Sequence, residues 1–147
     1  MSGFEYVKAL RDGLLPPSPI AHTMGWKIEQ VSPGDVTLSL APGPHLFGND
    51  SLHGGAIAAL ADSALATALN SDLDMGVRCK TVDLRLCFLA PVLADTGEIV
   101  AHARVIERRR SLALVEASIK DRNGNLYAHV TATFVVRLMR NSAETDA

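Results

Sequence analysis

Three features of the sequence predict an α+β fold in which an antiparallel sheet of about six strands wraps around one long central helix. Residues 53–74 read HGGAIAALADSALATALNSDLD, an Ala/Leu-rich run of high helix propensity. Two segments before this run and four after it alternate apolar and polar residues with the period of two expected of strands. Turn signals rather than long linkers separate these segments. A helix apolar on nearly every side has to be covered all round. A sheet of long strands curling over it meets that requirement.

In chain order, residues 4–12 carry Phe4, Val7, Ala9 and Leu10 at helical spacing and stop at Gly13, with Pro16, Pro17 and Pro19 beyond. Residues 22–31 and 35–40 read as two strands about a Ser32-Pro33-Gly34 turn. The second alternates cleanly, Val36, Leu38 and Leu40 against Thr37 and Ser39. Residues 41–51, with Pro42, Gly43, Pro44 and Gly48, form a loop leading into the central helix. After Gly76, residues 77–89 set Val82, Leu84, Leu86 and Phe88 against Asp83, Arg85 and Cys87, ending at Pro91. Residues 99–108 and 112–120 are further strands. The sequence Asp121-Arg122-Asn123-Gly124 then turns the chain, its Asn-Gly pair suiting a type I′ hairpin. The last strand puts Leu126, Ala128, Val130, Ala132, Phe134 and Val136 on one face, and Tyr127, His129, Thr131 and Thr133 on the other. These four strands are expected in meander order, and residues 141–147 are expected to fray. Residues 1–147 read as a single domain with no internal repeat. Six strands around one helix leave a sheet edge and a helix flank uncovered, so a homodimer is expected.

Bulk properties exclude several classes. A net charge of -2 gives no support for nucleic-acid binding. The central run is too short for a membrane span, carries Asp62, and ends in Asn70, Ser71 and Asp72, so no membrane role is expected. The N-terminus has acidic residues and no apolar core run, so no signal peptide is expected. Cys79 and Cys87 lie in one strand and cannot bridge; without a CxxC pair they read as buried small hydrophobes. A cytoplasmic location is expected. His22, His45, His102 and His129 lack metal-ligand spacing, so no metal is expected. Walker, GxSxG, HExxH and Rossmann motifs are absent from the sequence.

The chemistry concentrates at the central helix. Gly54 and Gly55 occupy its first turn, where backbone N–H groups lack intrahelical partners. Without side chains they admit a substrate atom close to the backbone and to the positive end of the helix dipole, a setting for a polarised carbonyl or oxyanion. The same glycines also suit tight packing of a loop on the sheet. Asp62, the only ionisable side chain within residues 54–69, is costly in a buried Ala-rich helix unless paired, hydrogen-bonded or reactive. It stands seven residues after Gly55, on roughly the same face and roughly 10–11 Å along the axis. That is too far for both to act on one bond, since a base reaches its water within about 3 Å. The glycines of one subunit working with Asp62 of a second, antiparallel helix would close the gap; a structural Asp bonded to a Ser, a Thr or backbone is the alternative. His53 could orient the loop, cap the helix or touch substrate. Arg108, Arg109 and Arg110 form a basic run at a hairpin end, either a solvated turn or a phosphate-binding site.

Residues 49–63, NDSLHGGAIAALADS, resemble the signature of hotdog-fold acyl-CoA thioesterases, closest to the PaaI-like group of phenylacetic acid degradation with its HGG-x6-D pattern. Residues 81–92, TVDLRLCFLAPV, resemble that family's strand after the helix. The resemblance covers roughly residues 20–138 and implies a hotdog fold, a homodimer with shared sites or a dimer of dimers, and hydrolysis of an acyl-CoA thioester. Coenzyme A would enter only as part of the substrate, with no separate cofactor. Carried over by position, Asp62 is the base or nucleophile and Gly54 supplies the N–H that polarises the carbonyl, with Gly55 and His53 lining the same turn. Where the family often has Asn or Gln, six residues before the His, this chain has Phe47; Asn49 could substitute if the loop bulges. Where the family often has Ser or Thr, four residues after the acid, stands Ala66, with Ser63 and Thr67 as stand-ins for holding water. The apolar strand faces and the Phe47 loop would hold the acyl or aryl group, and Arg108, Arg109 and Arg110 the carrier's phosphates. A non-catalytic acyl-CoA sensor, an enoyl-CoA hydratase or dehydratase of the same fold, and a ligand-free structural dimer remain alternatives.

Overall fold

The computed structural model describes residues 1–139; the tail expected to fray lies outside the described residues. Helix α1 spans Gly3–Arg11 and the short α2 spans Pro19–Met24. Strands β1 (Lys27–Ser32) and β2 (Asp35–Leu40) precede a 3-10 turn at Pro44–Leu46 and the 17-residue helix α3, Gly54–Asn70. Strands β3 (Val77–Phe88), β4 (Ile99–Arg108), β5 (Leu112–Asp121) and β6 (Leu126–Leu138) complete the chain. All six strands form one antiparallel sheet in the order β1-β2-β4-β5-β6-β3.

The sheet's inner face closes on α3. Leu60, Ala61, Ala64, Leu65, Ala68 and Leu69 are fully buried against Val36, Leu38, Ala103, Val115, Val130 and Phe134. The alanines let the helix axis approach the strands, and the larger residues fill the space between, as a close-packed interior requires. Ser71 pins the far end: its hydroxyl lies 2.7 Å from Ala68 O and accepts the Gly34 N–H at 2.9 Å. No helix among the described residues is long and apolar enough to cross a membrane.

Six expectations are corrected, the sixth of them in β3. Residues 22–24 belong to α2 rather than to a strand, because Ser18 caps the segment, Pro19 starts it, and Gly25 ends it in the left-handed conformation at φ +92°. The last four strands are not a meander. Only β4, β5 and β6 are joined by hairpins; residues 89–98 carry the chain from β3, at the outer edge beside β6, across to β4. The Asn-Gly turn is not type I′, which needs positive φ at both central residues; only Gly124 has it, at +87°. Instead Gly124 N–H closes on Asp121 O, and the Asp121 carboxylate receives the Asn123 and Asn125 N–H groups. Helix α3 is not buried on every side: Ala58, Ala59, Asp62, Ser63, Ala66 and Thr67 are only half-buried, because the flank toward β3, where Asp62 lies, and the side toward α1 and α2, where Ser63 and Thr67 lie, are both incompletely covered within this chain. Finally, Cys79 is half-buried but Cys87 is exposed on the sheet's outer face, opposite His129.

Strand β3 carries an irregularity that changes which side chains face α3. Its register with β6 slips between Thr81 and Asp83. Val82 is therefore the extra residue, 58% exposed, rather than a member of the apolar face. Thr81 joins Leu84, Leu86 and Phe88 on the inner face, opposite the buried Phe134, Ala132, Val130 and Ala128.

Candidate active site

The first turn of α3 accounts for all but one of its backbone donors. His53 is the N-cap, and its ring Nδ1 accepts the Gly55 N–H at 2.9 Å, which places the neutral ring's proton on Nε2. Ala56 N–H and Ile57 N–H both reach His53 O, at 2.9 and 3.2 Å. Gly54 N–H has no partner among the described residues. It sits at the positive end of the helix dipole. A cleft of about 370 Å³, walled by Leu52, Ile57, Phe88 and Val92, opens onto Gly54. A β-carbon on Gly54 would stand 3.4 Å from the Phe88 ring, and one on Gly55 would stand 2.9 Å from His53 Nδ1. Glycine at 55 is thus what lets the imidazole cap the helix, while a β-carbon at 54 would only reach ordinary contact with Phe88 and narrow the cleft.

The loop feeding this turn is fixed from both sides. His53 N–H donates to Leu46 O, and Leu52 N–H donates to the carbonyl of buried Val92 in the β3–β4 connection. Phe47 bridges Leu52 and packs half-buried against the core, while Asn49 is exposed in the turn. Neither borders the cleft at Gly54.

Asp62 lies eight residues after Gly54, roughly 12 Å along the helix. Thr81 Oγ1, brought to the inner face by the β3 irregularity, donates to Asp62 Oδ1 at 2.8 Å. Oδ2 has no protein partner among the described residues. The pair lies on the uncovered flank of α3, so one carboxylate oxygen is held while the other is free to take a proton or a carbon. Cys79, one turn of strand away, is no competing nucleophile. Burial, aided by the negative charge of Asp62, pushes its thiol up to about 11, and its Sγ lies 3.5 Å from Asn70 Oδ1.

Ser63 and Thr67 face away from β3, about 100° and about 140° round the helix from Asp62. Thr67 Oγ1 donates to Ser63 O at 2.6 Å. With Ala66 they line a separate groove of about 810 Å³ beneath α1 and α2. The arginine run is elsewhere: Arg108 donates to Asp72 O at 2.6 Å, at the opposite end of α3 and roughly 25 Å from Gly54. Arg109 pairs with Glu107 at 3.1 Å, and Arg110 is exposed. Within one protomer, then, His53, Gly54 and Gly55 come together, Asp62 stands two turns on, and the arginines stand apart. Thr81 carries no signal of this role in the sequence, although it opens the TVDLRLCFLAPV segment. Phe88, which alternation places only on the apolar face of its strand, walls the cleft at Gly54.

A curled six-stranded antiparallel sheet around one helix, entered through a His-Gly-Gly turn, defines the molecule as a hotdog domain. The family follows from the sequence match. The chain belongs to the thioesterase superfamily, whose model matches residues 49–128, over half of its length. A curated protein of Saccharolobus solfataricus, provisionally named an esterase, is 34% identical over 91 residues, which are 62% of this chain and 59% of that protein. The chain therefore matches less than two thirds of the length of that curated relative. Among solved structures, a phenylacetic acid degradation-related protein of Ralstonia eutropha, provisionally named a thioesterase, is 27% identical with a TM-score of 0.80, over 88% of this chain and 98% of that one. The PaaI protein from the phenylacetic acid degradation operon of E. coli shares the fold at 20% identity and a TM-score of 0.79, over 95% and 98% of the two chains.

Proposed function

We infer that the protein is an acyl-CoA thioesterase, hydrolysing a CoA thioester to the free acid and coenzyme A. The observation that carries this reading is the one unpartnered donor of the α3 first turn, Gly54 N–H, facing an open cleft on a helix that also bears a half-engaged carboxylate. The thioester carbonyl oxygen accepts the Gly54 N–H and gains the stabilisation of the helix N-terminus as negative charge develops on it. Asp62 Oδ2 takes a proton from water as the water oxygen bonds to the carbonyl carbon. The tetrahedral intermediate then collapses, the C–S bond breaks, and the proton held by Asp62 passes to the departing CoA sulfur. Direct attack of Asp62 on the carbonyl, with water cleaving the resulting anhydride, yields the same products. CoA is substrate rather than cofactor, and the chemistry uses neither metal nor redox group.

Because Gly54 and Asp62 of one chain are roughly 12 Å apart, the reacting pair comes from two subunits. The uncovered flank of α3 and the free edge of β3, where Phe88 is 54% exposed, supply the apolar surface for a homodimer with two shared sites, and a dimer of dimers can build on it.

The test is free-thiol release from a panel of aryl- and fatty acyl-CoA esters, wild type beside Asp62→Asn. Loss of general-base or nucleophilic action is expected to lower kcat by at least about 10²–10⁴-fold with the circular dichroism unchanged. A folded Asp62→Asn protein that turns over at the wild-type rate removes the mechanism. Tight binding of CoA esters without thiol release by the wild type would make the protein a sensor instead.

A further inference from the structure

The groove beneath α1 and α2 is larger than the cleft at Gly54, and the reaction as derived leaves it without a role. Its floor is Ser63, Ala66 and Thr67 of α3, beginning at the residue next to Asp62. Its walls include Leu10, Leu14, Pro17, Ala21, Trp26 and Ile28. Leu14 is 76% exposed there, although a leucine at the end of a helix ordinarily finds cover. The rim carries Arg11, His22 and Lys27, with the Arg11 guanidinium already paired to Asp12 at 2.9 Å. At about 810 Å³ the space is roughly five times the ~150 Å³ apolar cavity that accommodates a benzene ring. It is more than a phenylacetyl group would fill, and Leu10, Leu14, Leu15, Ile28 and Leu38 give it an aliphatic wall.

We propose that this groove receives the acyl chain of the thioester, that the chain is long and aliphatic rather than aryl, and that the α1–α2 segment is its specificity-determining wall. The assignment rests on the thioesterase reading and gives that reading a substrate class. The thioester enters at Asp62, and the hydrocarbon runs past Ser63 and Ala66 under Leu10, Leu14 and Trp26. Burying such a chain removes apolar surface from water on both sides, worth about 0.8 kcal/mol for each buried methylene.

Trp26 is the only tryptophan in the chain, so its emission reports the groove alone. The binding probe is S-dodecyl-CoA, a thioether that cannot be hydrolysed, compared with S-phenethyl-CoA. The kinetic readout is the ratio of kcat/KM for dodecanoyl-CoA to that for acetyl-CoA, in wild type, Ala21→Phe and Leu14→Glu. Position 14 is already exposed, so Leu14→Glu tests the groove even if Ala21→Phe fails to fold. The expected result is a saturable change in Trp26 emission with the dodecyl probe, weaker with the phenethyl probe, and a ratio lowered at least about tenfold in the variants. Turnover of both esters with a silent Trp26 and an unchanged ratio overturns the groove assignment. So does Trp26 emission that follows dilution of the dimer rather than ligand, which would place the partner subunit in the groove. A Trp26 response in a protein that hydrolyses no ester supports the chain site and overturns the thioesterase reading instead.

Discussion

At the scale of single residues, the site turns on how one carboxylate is held. Thr81 donates to one oxygen of Asp62 and leaves the other free, which makes Thr81 a positioning residue in the reaction proposed for Asp62. A hydrogen bond to a charged group contributes about 1.5–3 kcal/mol. Losing it in Thr81→Val is expected to lower kcat by at least about tenfold with little change in KM. Thr81→Ser, which keeps the hydroxyl, is expected to recover most of the rate. Steady-state kinetics on the two variants decide the matter: equal losses in both would mean that the methyl group and packing, not the hydrogen bond, were at stake. Asp62 and the Gly54-Gly55 pair were legible in the sequence because each breaks a local pattern, a charge in an alanine run and two glycines opening a helix. Thr81 was not legible. Strict alternation along β3 puts it on the outer face with Asp83, and only the slipped register turns it toward the helix.

At the scale of elements, long periodic segments were readable and their connections were not. The central helix and all six strands were expected close to where they lie. The errors fall at α2, where three prolines looked like a terminator although Ser18 and Pro19 begin a new turn of helix, and at the β5–β6 hairpin. In that hairpin the Asn-Gly signal gave the right position and the wrong turn, because the preceding Asp121 supplies its own acceptor. Its carboxylate takes the Asn125 side-chain amide at 2.8 Å, the Asn125 and Asn123 N–H groups, and the Tyr127 hydroxyl at 2.9 Å. These bonds, the Asn125 amide foremost, hold the Asp121 carboxyl below the usual carboxylate range. A depressed folded value means that the charged form stabilises the fold above about pH 3.9, the unfolded aspartate value, and that this stability is lost as pH falls through the folded value. Asp121→Asn is therefore expected to melt lower than wild type at pH 7, with the difference shrinking below about pH 4. A difference that stays constant down to pH 2 in thermal melts would show that the carboxylate charge plays no part.

At the scale of the whole molecule, the sequence could say that the sheet wraps the helix but not which strand forms its edge. Alternation tells inside from outside and is silent on neighbours, so placing β3 beside β6 required the three-dimensional path of residues 89–98. That placement matters for catalysis, because it puts the free edge of β3 and the uncovered flank of α3 on one side of the protomer. Two copies related by a twofold axis would then bring each Gly54 toward the other copy's Asp62. The arrangement predicts complementation between two dead proteins. Gly54→Val, whose side chain would meet the Phe88 ring and close the cleft, inactivates one half of the site, and Asp62→Asn inactivates the other. Each is expected to be inert as a homodimer. Unfolded together in equal amounts and refolded, half of the dimers are hybrids, and in each hybrid one of the two sites draws an intact Gly54 from one subunit and an intact Asp62 from the other. About a quarter of the wild-type rate per subunit is therefore expected from the mixture. If instead Gly54 and Asp62 of the same chain served one substrate, every site in every dimer would carry a lesion, and mixing would recover nothing.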